Sequence, residues 1–326
     1  MKEIGGYFEL ERCRRPMLHE GALALNCGRT CLEYLLEQKN IKKLALPYFM
    51  CSVVRDSCEK CGTGLSYYHI GRDFMPEDVK LREDEWLYAA NFYGQLSTEQ
   101  LLYLKEKYRR VIVDNAQAYF APPPGGVDCI YTCRKFFGVP DGAFLYTDAP
   151  PRELQRDISY TRMDFVLGRF EKNAGEFYPT ASANNDFFST QPVLKMSALT
   201  ENLLRAVDYE EAEKKRTENF LRLHRALGGM NELSVHPVKG AFSYPLMLDN
   251  APELRKKLIA DKIFVPTLWP NVLSEVPAGS WEYRLAANVL PLPCDQRYGA
   301  EDMDRIINFF SNVQPSLAGR HDLEVF

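Results

Sequence analysis

Short apolar runs alternate with amphipathic segments over the first half of the chain, a pattern typical of an α/β protein. Continuous apolar runs predict buried strands, and apolar residues that recur every three or four positions predict helices. The predicted strands are 22–26, 43–47, 86–94, 110–114, 128–132 and 142–147, and the predicted helices are 28–40 and 97–108.

The pattern changes after residue 150. Residues 151–195 are polar and weakly periodic, which predicts the far edge of the first domain, partly in loops. A chain of 326 residues is long enough for two domains. We therefore predict a large N-terminal domain over residues 1–195 and a smaller C-terminal domain over residues 196–326.

The C-terminal part has its own sequence of elements. Residues 196–229 predict a long helix, broken near Asp208. Strands are predicted at 242–248 and 262–269, and a last helix begins near Ala300, where acidic residues favour a helix start.

Composition and charge narrow the function classes. The formal net charge is −4, which gives no electrostatic footprint for nucleic acid or an anionic membrane. No apolar run is long enough for a signal peptide or a membrane span. The nine cysteines are an odd number in apolar segments, and we expect reduced thiols in the cytoplasm. Cys58 and Cys61 form a lone CxxC without a second ligand pair, so no metal site is predicted.

Asp114 is the first candidate for chemistry. It follows the apolar run 111–113, so it is predicted to lie at the carboxyl end of a strand, where open α/β sheets bind ligands. A carboxylate there can pair with a protonated ring nitrogen. Gln117, three residues on, can donate to an oxygen of the same ring. Alternatively, Asp114 only caps a loop.

Lys135 is the second candidate. It follows the predicted strand 128–132 and precedes a loop that contains Gly138 and Gly142. The next two residues are aromatic, and we expect them to desolvate the amine; a desolvated lysine forms Schiff bases readily. Taken alone, Lys135 is better explained as an ordinary surface lysine in a loop, and Asp114 about twenty residues upstream is what favours the chemical role.

A third candidate joins the first predicted strand to the first helix. Gly28 begins a predicted helix whose N-terminal N–H groups can bind phosphate. Arg29 can add a guanidinium, and Thr30 a hydroxyl. Together with Asp114 and Lys135, this turn supplies a phosphate cradle, a ring-nitrogen partner and a Schiff-base lysine. These are the groups that pyridoxal 5′-phosphate (PLP) requires of a protein.

On these residues the chain resembles the DegT/DnrJ/EryC1/StrS family of PLP-dependent sugar aminotransferases, over residues 25–310. The family's phosphate turn is similar to residues 27–29, and its strand followed by aspartate is similar to residues 113–117. The lysine and its glycine-bearing loop are similar to residues 135–142, and the LPLP segment with the acidic helix after it to residues 290–304.

The resemblance implies PLP-dependent transferase fold type I, with a mostly parallel sheet in the large domain and a small α/β domain. It also implies a homodimer with active sites at the interface, and transfer of an amino group, with glutamate as the expected donor, to a keto sugar on a nucleotide. Lys135 would hold the cofactor and then move protons, Asp114 would keep the ring nitrogen protonated, and Gln117 would bond the ring oxygen. Thr132 takes the place of a serine that touches the phosphate.

The resemblance also has departures. An asparagine that reaches the phosphate from the partner subunit corresponds to Asn184 or Asn185. Arg29 stands where a small hydroxyl residue is usual. Cys51 falls near the position of the ring-stacking aromatic, and Phe49 is a substitute for it.

Two other functions stay open. One is a PLP enzyme of another reaction type, such as a lyase. The other is a catalytically inactive protein of this fold that binds a sugar nucleotide or a partner. Retention of Asp114, Gln117 and Lys135 together favours an enzyme, because a scaffold needs none of them.

Overall fold

A mixed sheet of eight strands forms the centre of the protein in a computed structural model that describes residues 4–313. The strand order is β1-β8-β7-β6-β5-β2-β3-β4. Strands β2, β3, β5, β6 and β7 pair in parallel, and β8 runs antiparallel to both β1 and β7. The strands are β1 (Leu23–Leu25), β2 (Lys43–Pro47), β3 (Gly64–Ile70), β4 (Pro76–Glu77), β5 (Glu85–Ala90), β6 (Val111–Asp114), β7 (Asp128–Thr132) and β8 (Ala143–Tyr146).

This topology confirms the α/β class and determines where the candidate residues lie. Because β1 and β7 are both antiparallel to β8, they run in the same direction. Strand β6 is parallel to β7. The carboxyl ends of β1, β6 and β7 therefore lie at one edge of the sheet, where α/β proteins bind ligands.

Eleven helices of the described chain surround this sheet and a second, smaller one. Several begin at side chains that cap their free N–H groups: Ser97 accepts from Gln100 N, and Asp208 from Glu211 N. The helices are α1 (Gly28–Gln38), α2 (Ser52–Lys60), α3 (Thr98–Tyr108), α4 (Asp164–Glu171), α5 (Ala174–Phe187), α6 (Ala198–Leu204), α7 (Tyr209–Leu227), α8 (Ala251–Ala260), α9 (Val272–Glu275), α10 (Trp281–Asn288) and α11 (Ala300–Val313). Within residues 4–313, none combines the length and apolar character that a membrane crossing requires.

The C-terminal part contains a two-stranded antiparallel sheet of β9 (Tyr244–Met247) and β10 (Val289–Leu292). One buried cluster, drawn from residues 220–310, packs around it. The larger buried cluster follows the main sheet and also takes in Leu204 and later residues. The division into residues 1–195 and 196–326 stays a prediction.

One sequence prediction needs correction. Residues 262–269 form no strand; their alternating burial resembles one, but no neighbouring strand pairs with them. The polar stretch 151–195 is partly loop, as predicted, and also holds two helices, α4 and α5. The predicted break of the long helix near Asp208 is confirmed, since α6 ends at Leu204 and Asp208 caps α7.

Candidate active site

Asp114 is the last residue of β6, and its carboxylate is held from two sides. The hydroxyl of Tyr88, on the neighbouring strand β5, donates to Asp114 Oδ2 at 2.9 Å. The backbone N–H of Ala116 donates to Oδ1 at 2.8 Å. Burial and the Asp114 charge raise the pKa of Tyr88 well above its usual value, so Tyr88 remains a donor. The carboxylate is thus oriented at the strand end, as the ring-nitrogen role requires.

Gln117 is buried on the loop after Asp114, and its amide is oriented by one backbone bond. The N–H of Tyr93 donates to Gln117 Oε1 at 2.8 Å. Tyr93 and Gly94 have positive φ angles of 55° and 74°, which turns this N–H toward Gln117. Because the oxygen is occupied, the amide NH2 group remains a donor, as a bond to a ring oxygen requires.

Gly28 and Thr132 come together at the same edge of the sheet. Gly28 is the first residue of α1, and a Cβ atom there would lie 3.8 Å from Thr132 Cβ. Thr132 ends β7, and its side chain is buried. The free N–H groups at the start of α1 are therefore close to the Thr132 side chain, as predicted for a phosphate site.

Thr30 does not take the predicted role of a phosphate ligand. Its side chain is fully buried, and its hydroxyl donates toward Asn26 Oδ1 at 2.7 Å and Cys27 O at 2.8 Å. The same oxygen accepts from Cys27 N at 3.2 Å. Thr30 therefore closes the turn that starts α1 and leaves no donor for a ligand.

Arg134 is a residue of this site that the sequence pattern did not indicate. It lies in the loop between Thr132 and Lys135, and its guanidinium stacks 4.9 Å from the ring of Phe188. Burial lowers the pKa of Arg134, and the nearby charge of Arg29 lowers it further. Within residues 4–313 its Nε has no hydrogen-bond partner, and the charge of Asp141 offsets the lowering of its pKa only in part. Its one signal in the sequence was its place directly before Lys135.

Two cations, Arg29 and Arg134, lie close to the start of α1, and within residues 4–313 neither forms an ion pair with a carboxylate, although the charge of Asp141 acts on Arg134. Arg29, the second residue of α1, contacts only oxygens of Asn185, at 3.3 and 3.5 Å. Arg134 lies near it, since each charge disfavours the other. A bound anion would offset this repulsion, and the phosphate of PLP fits both the charges and the helix start.

Lys135 lies on the same loop, but the expected desolvation of its amine is wrong for the single chain. The side chain is exposed, because Phe136 and Phe137 point into the core and do not cover it. Its Nζ lies 5.9 Å from the ring centre of Phe242, a residue of the C-terminal part. The amine is therefore accessible to a cofactor.

Cys51 lies close to Asp114 and Lys135, whereas Phe49 packs away from them in the core. Burial raises the pKa of Cys51, and the charges of Lys135 and Asp114 act on it in opposite directions, so both lie nearby. Phe49 is fully buried and packs edge-on against Trp269, with ring centres 4.5 Å apart. Phe49 therefore cannot stack on a cofactor ring.

Asn184 is also corrected: it lies on α5, and its side chain bonds the lysine loop of its own chain. Its Nδ2 donates to Pro140 O at 2.8 Å, and the side chain is buried. A residue held in this way cannot reach into a partner subunit. Asn185 contacts Arg29, so the end of α5 lies beside the start of α1.

The chain was compared with known proteins at three levels. A scan against protein-family models found no match, and a search of curated proteins found none. Solved structures do match. DesV from S. venezuelae, in complex with a ketimine intermediate, is 16% identical, with a TM-score of 0.64 over 92% of this chain and 85% of that chain.

Two further structures agree with this match. A DegT DnrJ EryC1 StrS aminotransferase from Brucella abortus is 15% identical, with a TM-score of 0.62 over 92% of this chain and 87% of that chain. The PLP-form of Spr1654, a sugar aminotransferase of Streptococcus pneumoniae by its description, is 14% identical, with a TM-score of 0.63 over 92% and 89%. The predicted fold is confirmed: it is the α/β fold of the DegT/DnrJ/EryC1/StrS-type sugar aminotransferases.

Proposed function

We propose that this chain is a PLP-dependent aminotransferase that transfers an amino group to a keto sugar, with Lys135 as the residue that binds the cofactor. One observation carries the proposal. Asp114, Gln117, Thr132, Arg134 and Lys135 converge at one edge of the sheet, beside the start of α1. They match the ring nitrogen, ring oxygen, phosphate and aldehyde of PLP, each by its own chemistry.

Asp114 and Gln117 would hold the two polar positions of the ring. When bound, PLP supplies an electron sink for the amino-group carbon of the substrate. The Asp114 carboxylate, already oriented by Tyr88 and Ala116 N, would accept a proton-bearing nitrogen and keep its proton in place. The Gln117 amide NH2 would donate to the ring oxygen.

The start of α1, Thr132, Arg134 and Arg29 would hold the phosphate. Backbone N–H groups and two guanidinium groups give that end a positive potential, which a dianion neutralises. Thr132 adds a hydroxyl close to Gly28. Thr30 contributes indirectly, since its hydroxyl closes the turn that presents these N–H groups.

Lys135 would carry out the proton transfers. Its amine would hold the aldehyde of the cofactor until an amino donor takes its place, and Lys135 would then be free to act on the substrate. The released Nζ can take a proton from the substrate carbon and return it elsewhere, as general base and acid. An amine on an unhindered side chain, close to Cys51 and Phe242, has the reach for this task.

A second copy of the chain would complete the site. Apolar side chains of the N-terminal arm (residues 4–12) and of the α4–α5 hairpin are exposed to solvent, including Phe8 at 99% and Phe170 at 91%. Exposed apolar surface of this extent is typical of protein interfaces. The end of α5 lies beside the lysine loop, so a partner on this hairpin would also exclude water near Lys135.

The substrates are proposed from the structural neighbours. These are sugar aminotransferases, and DesI was crystallised in the presence of its TDP-sugar product. We propose a nucleotide-linked keto sugar as acceptor and glutamate as donor. All nine cysteines are free, which supports a cytoplasmic enzyme.

The test compares the wild type with Lys135→Ala. We expect added PLP to give the wild type a visible absorbance band that survives gel filtration, and Lys135→Ala to lack it. Borohydride treatment should then fix the cofactor to Lys135 alone, and glutamate should shift the band to the aminated form. Lys107→Ala, at an exposed lysine of α3, is the control and should behave as the wild type. A wild type without a band at saturating PLP would refute the proposal. It would favour the alternative, a catalytically inactive protein of this fold that binds a sugar nucleotide or a partner.

A further inference from the structure

The backbone carbonyl of Phe136, the residue after Lys135, accepts two hydrogen bonds from the C-terminal part of the chain. Arg216 Nη2, on α7, donates to Phe136 O at 3.0 Å. Gln296 Nε2, in the loop before α11, donates to the same oxygen at 2.8 Å. A carbonyl with both acceptor positions in use is held firmly in orientation. The peptide between Phe136 and Phe137, one residue beyond Lys135, is therefore fixed by side chains distant in sequence.

Arg216 also holds a second carbonyl. Its Nη1 donates to Ala241 O at 2.9 Å, and its guanidinium carbon lies 4.5 Å from the ring centre of Phe136. Ala241 directly precedes Phe242, whose ring lies 5.9 Å from Lys135 Nζ. One planar fork thus joins the carbonyl of Phe136, the residue after Lys135, to the carbonyl of Ala241, the residue before Phe242. The side chains of Lys135 and Phe242 lie close together beside it.

This position is a costly place for a charge. Arg216 is 1% exposed, and burial lowers its pKa to about 10. Within residues 4–313 no carboxylate forms an ion pair with it, since nearby Asp295 bonds Arg297. Its Nε has no hydrogen-bond partner in the same part of the chain. A lysine could not reproduce a planar fork between two carbonyls. A buried charge without an ion pair contributes little to stability, so we infer that Arg216 serves to hold the two carbonyls in a fixed geometry.

We propose that Arg216, assisted by Gln296, is a positioning residue that sets the direction of the Lys135 side chain toward the cofactor. The proposal rests on the proposed function, because it takes Lys135 as the cofactor lysine. The guanidinium acts through the Phe136 peptide and touches neither substrate nor cofactor. Without it, the loop of residues 133–142 would turn more freely and the amine would spend less time where the aldehyde lies.

Three variants of the full chain test the proposal. Arg216→Lys keeps the charge but loses the fork. Gln296→Leu removes one donor and leaves the guanidinium in place. Arg222→Lys is the matched control, because Arg222 lies on the same helix but pairs with Asp304 at the surface.

Three measurements are made on each variant. The first is the dissociation constant of PLP, read from its visible absorbance band. The second is the pH at which that band changes, which reports the surroundings of the lysine nitrogen. The third uses the cofactor-free chain: the rate of trypsin cleavage after Arg134 and Lys135, read by mass spectrometry, measures how freely the loop opens.

We expect Arg216→Lys to weaken PLP binding about tenfold, to move the pH midpoint of the band and to speed cleavage by a similar factor. Gln296→Leu should change all three in the same direction by a smaller, roughly threefold, factor. Arg222→Lys should match the wild type. If Arg216→Lys does not fold, Gln296→Leu decides.

Two outcomes would count against the positioning role and are distinguishable. A wild type that binds PLP, with both variants unchanged in affinity, pH midpoint and cleavage, overturns the role of Arg216 alone. A wild type that takes up no PLP overturns the proposed function, and the positioning role with it. The trypsin rates still show whether the fork holds the loop.

Discussion

The lysine loop (residues 133–142) and the α4–α5 hairpin meet where Asn184 donates to Pro140, yet they are completed in different ways. The loop is held by polar bonds within the chain: Asp141 is fully buried and accepts from Ser197 N at 2.8 Å, from Ser197 Oγ at 2.7 Å and from Thr200 Oγ1. The α4–α5 hairpin buries few of its side chains. No residue of α4 is buried, and only Asn184 of α5 is.

Under the proposed function, the loop is a part of the site that one chain forms alone, and the hairpin is a part that a second copy would cover. A loop that must place Lys135 within a fraction of an ångström is fixed by intramolecular bonds, which form as the chain folds. A surface that would exclude water can wait for a second copy, because association needs only complementary apolar area. The N-terminal arm (residues 4–12) is exposed like the hairpin, whereas His19, beyond the arm, is buried.

The largest effect is expected at the loop. Asp141→Ala leaves three donors of Ser197 and Thr200 without their acceptor, and should lower the free energy of unfolding by about 3–4 kcal/mol. Urea unfolding with an unchanged slope measures it. The control is Asp148→Ala, an exposed carboxylate paired with Lys39, which should change stability by less than about 1 kcal/mol. Equal losses in the two variants would contradict the view that the loop is fixed by its buried carboxylate.

A second effect is expected at His19, a buried residue between the arm and β1. His19 bonds Tyr119 O at 2.8 Å and Tyr146 Oη at 3.1 Å. Burial lowers its pKa from 6.5 to about 4. Between these values the unfolded chain binds a proton that the native chain does not, so stability is fully present above about pH 6.5 and falls as the pH drops toward 4. A shift of this size corresponds to about 3 kcal/mol.

His19→Gln tests this pH dependence, because glutamine keeps a polar side chain but does not titrate. The difference in unfolding free energy between about pH 7 and about pH 4 should be smaller by about 3 kcal/mol in the variant than in the wild type. Carboxylates titrate alike in both proteins, so their contribution cancels. An identical pH dependence would show that His19 takes up its proton without cost in the folded state.

The smallest effect on stability, and the clearest effect on association, is expected at the hairpin. Phe170→Ser should change the unfolding free energy of the monomer by less than about 0.5 kcal/mol, since the ring is exposed. It should shift the monomer–dimer equilibrium toward monomer, measured by light scattering over a dilution series. Tyr103→Ser, half-exposed on α3, is the control and should not shift it. A wild type that is monomeric at every concentration would refute the role of the hairpin.

Much of the site could be predicted because its chemistry is local in sequence. Asp114 and Lys135 each follow an apolar strand, and parallel strands bring their carboxyl ends to one edge. The starts of α3 and α7 could be predicted for the same reason: Ser97 and Asp208 accept from N–H groups only three residues away. The order of strands in the sheet could not, because it depends on contacts between distant segments.

The errors arose where one residue type serves two purposes. Thr30 has a hydroxyl at a helix start, which suits a phosphate or the turn itself, and only its burial shows which. Arg134 looks like any loop arginine until Arg29 is found beside it. Residues 262–269 alternate like a strand, but a strand requires a neighbour with free N–H and C=O groups.

By itself the sequence determined the α/β class, the strand ends that carry Asp114 and Lys135, and the turn that begins α1. These follow from hydrophobic periodicity and from bonds between near neighbours. Only the tertiary structure decided that Arg134 lies near Arg29, that Lys135 is exposed, and that Arg216 and Gln296 bond the carbonyl of Phe136. The reason is physical: burial and hydrogen-bond partners depend on which distant segments pack together, and the order of residues in the chain does not state that.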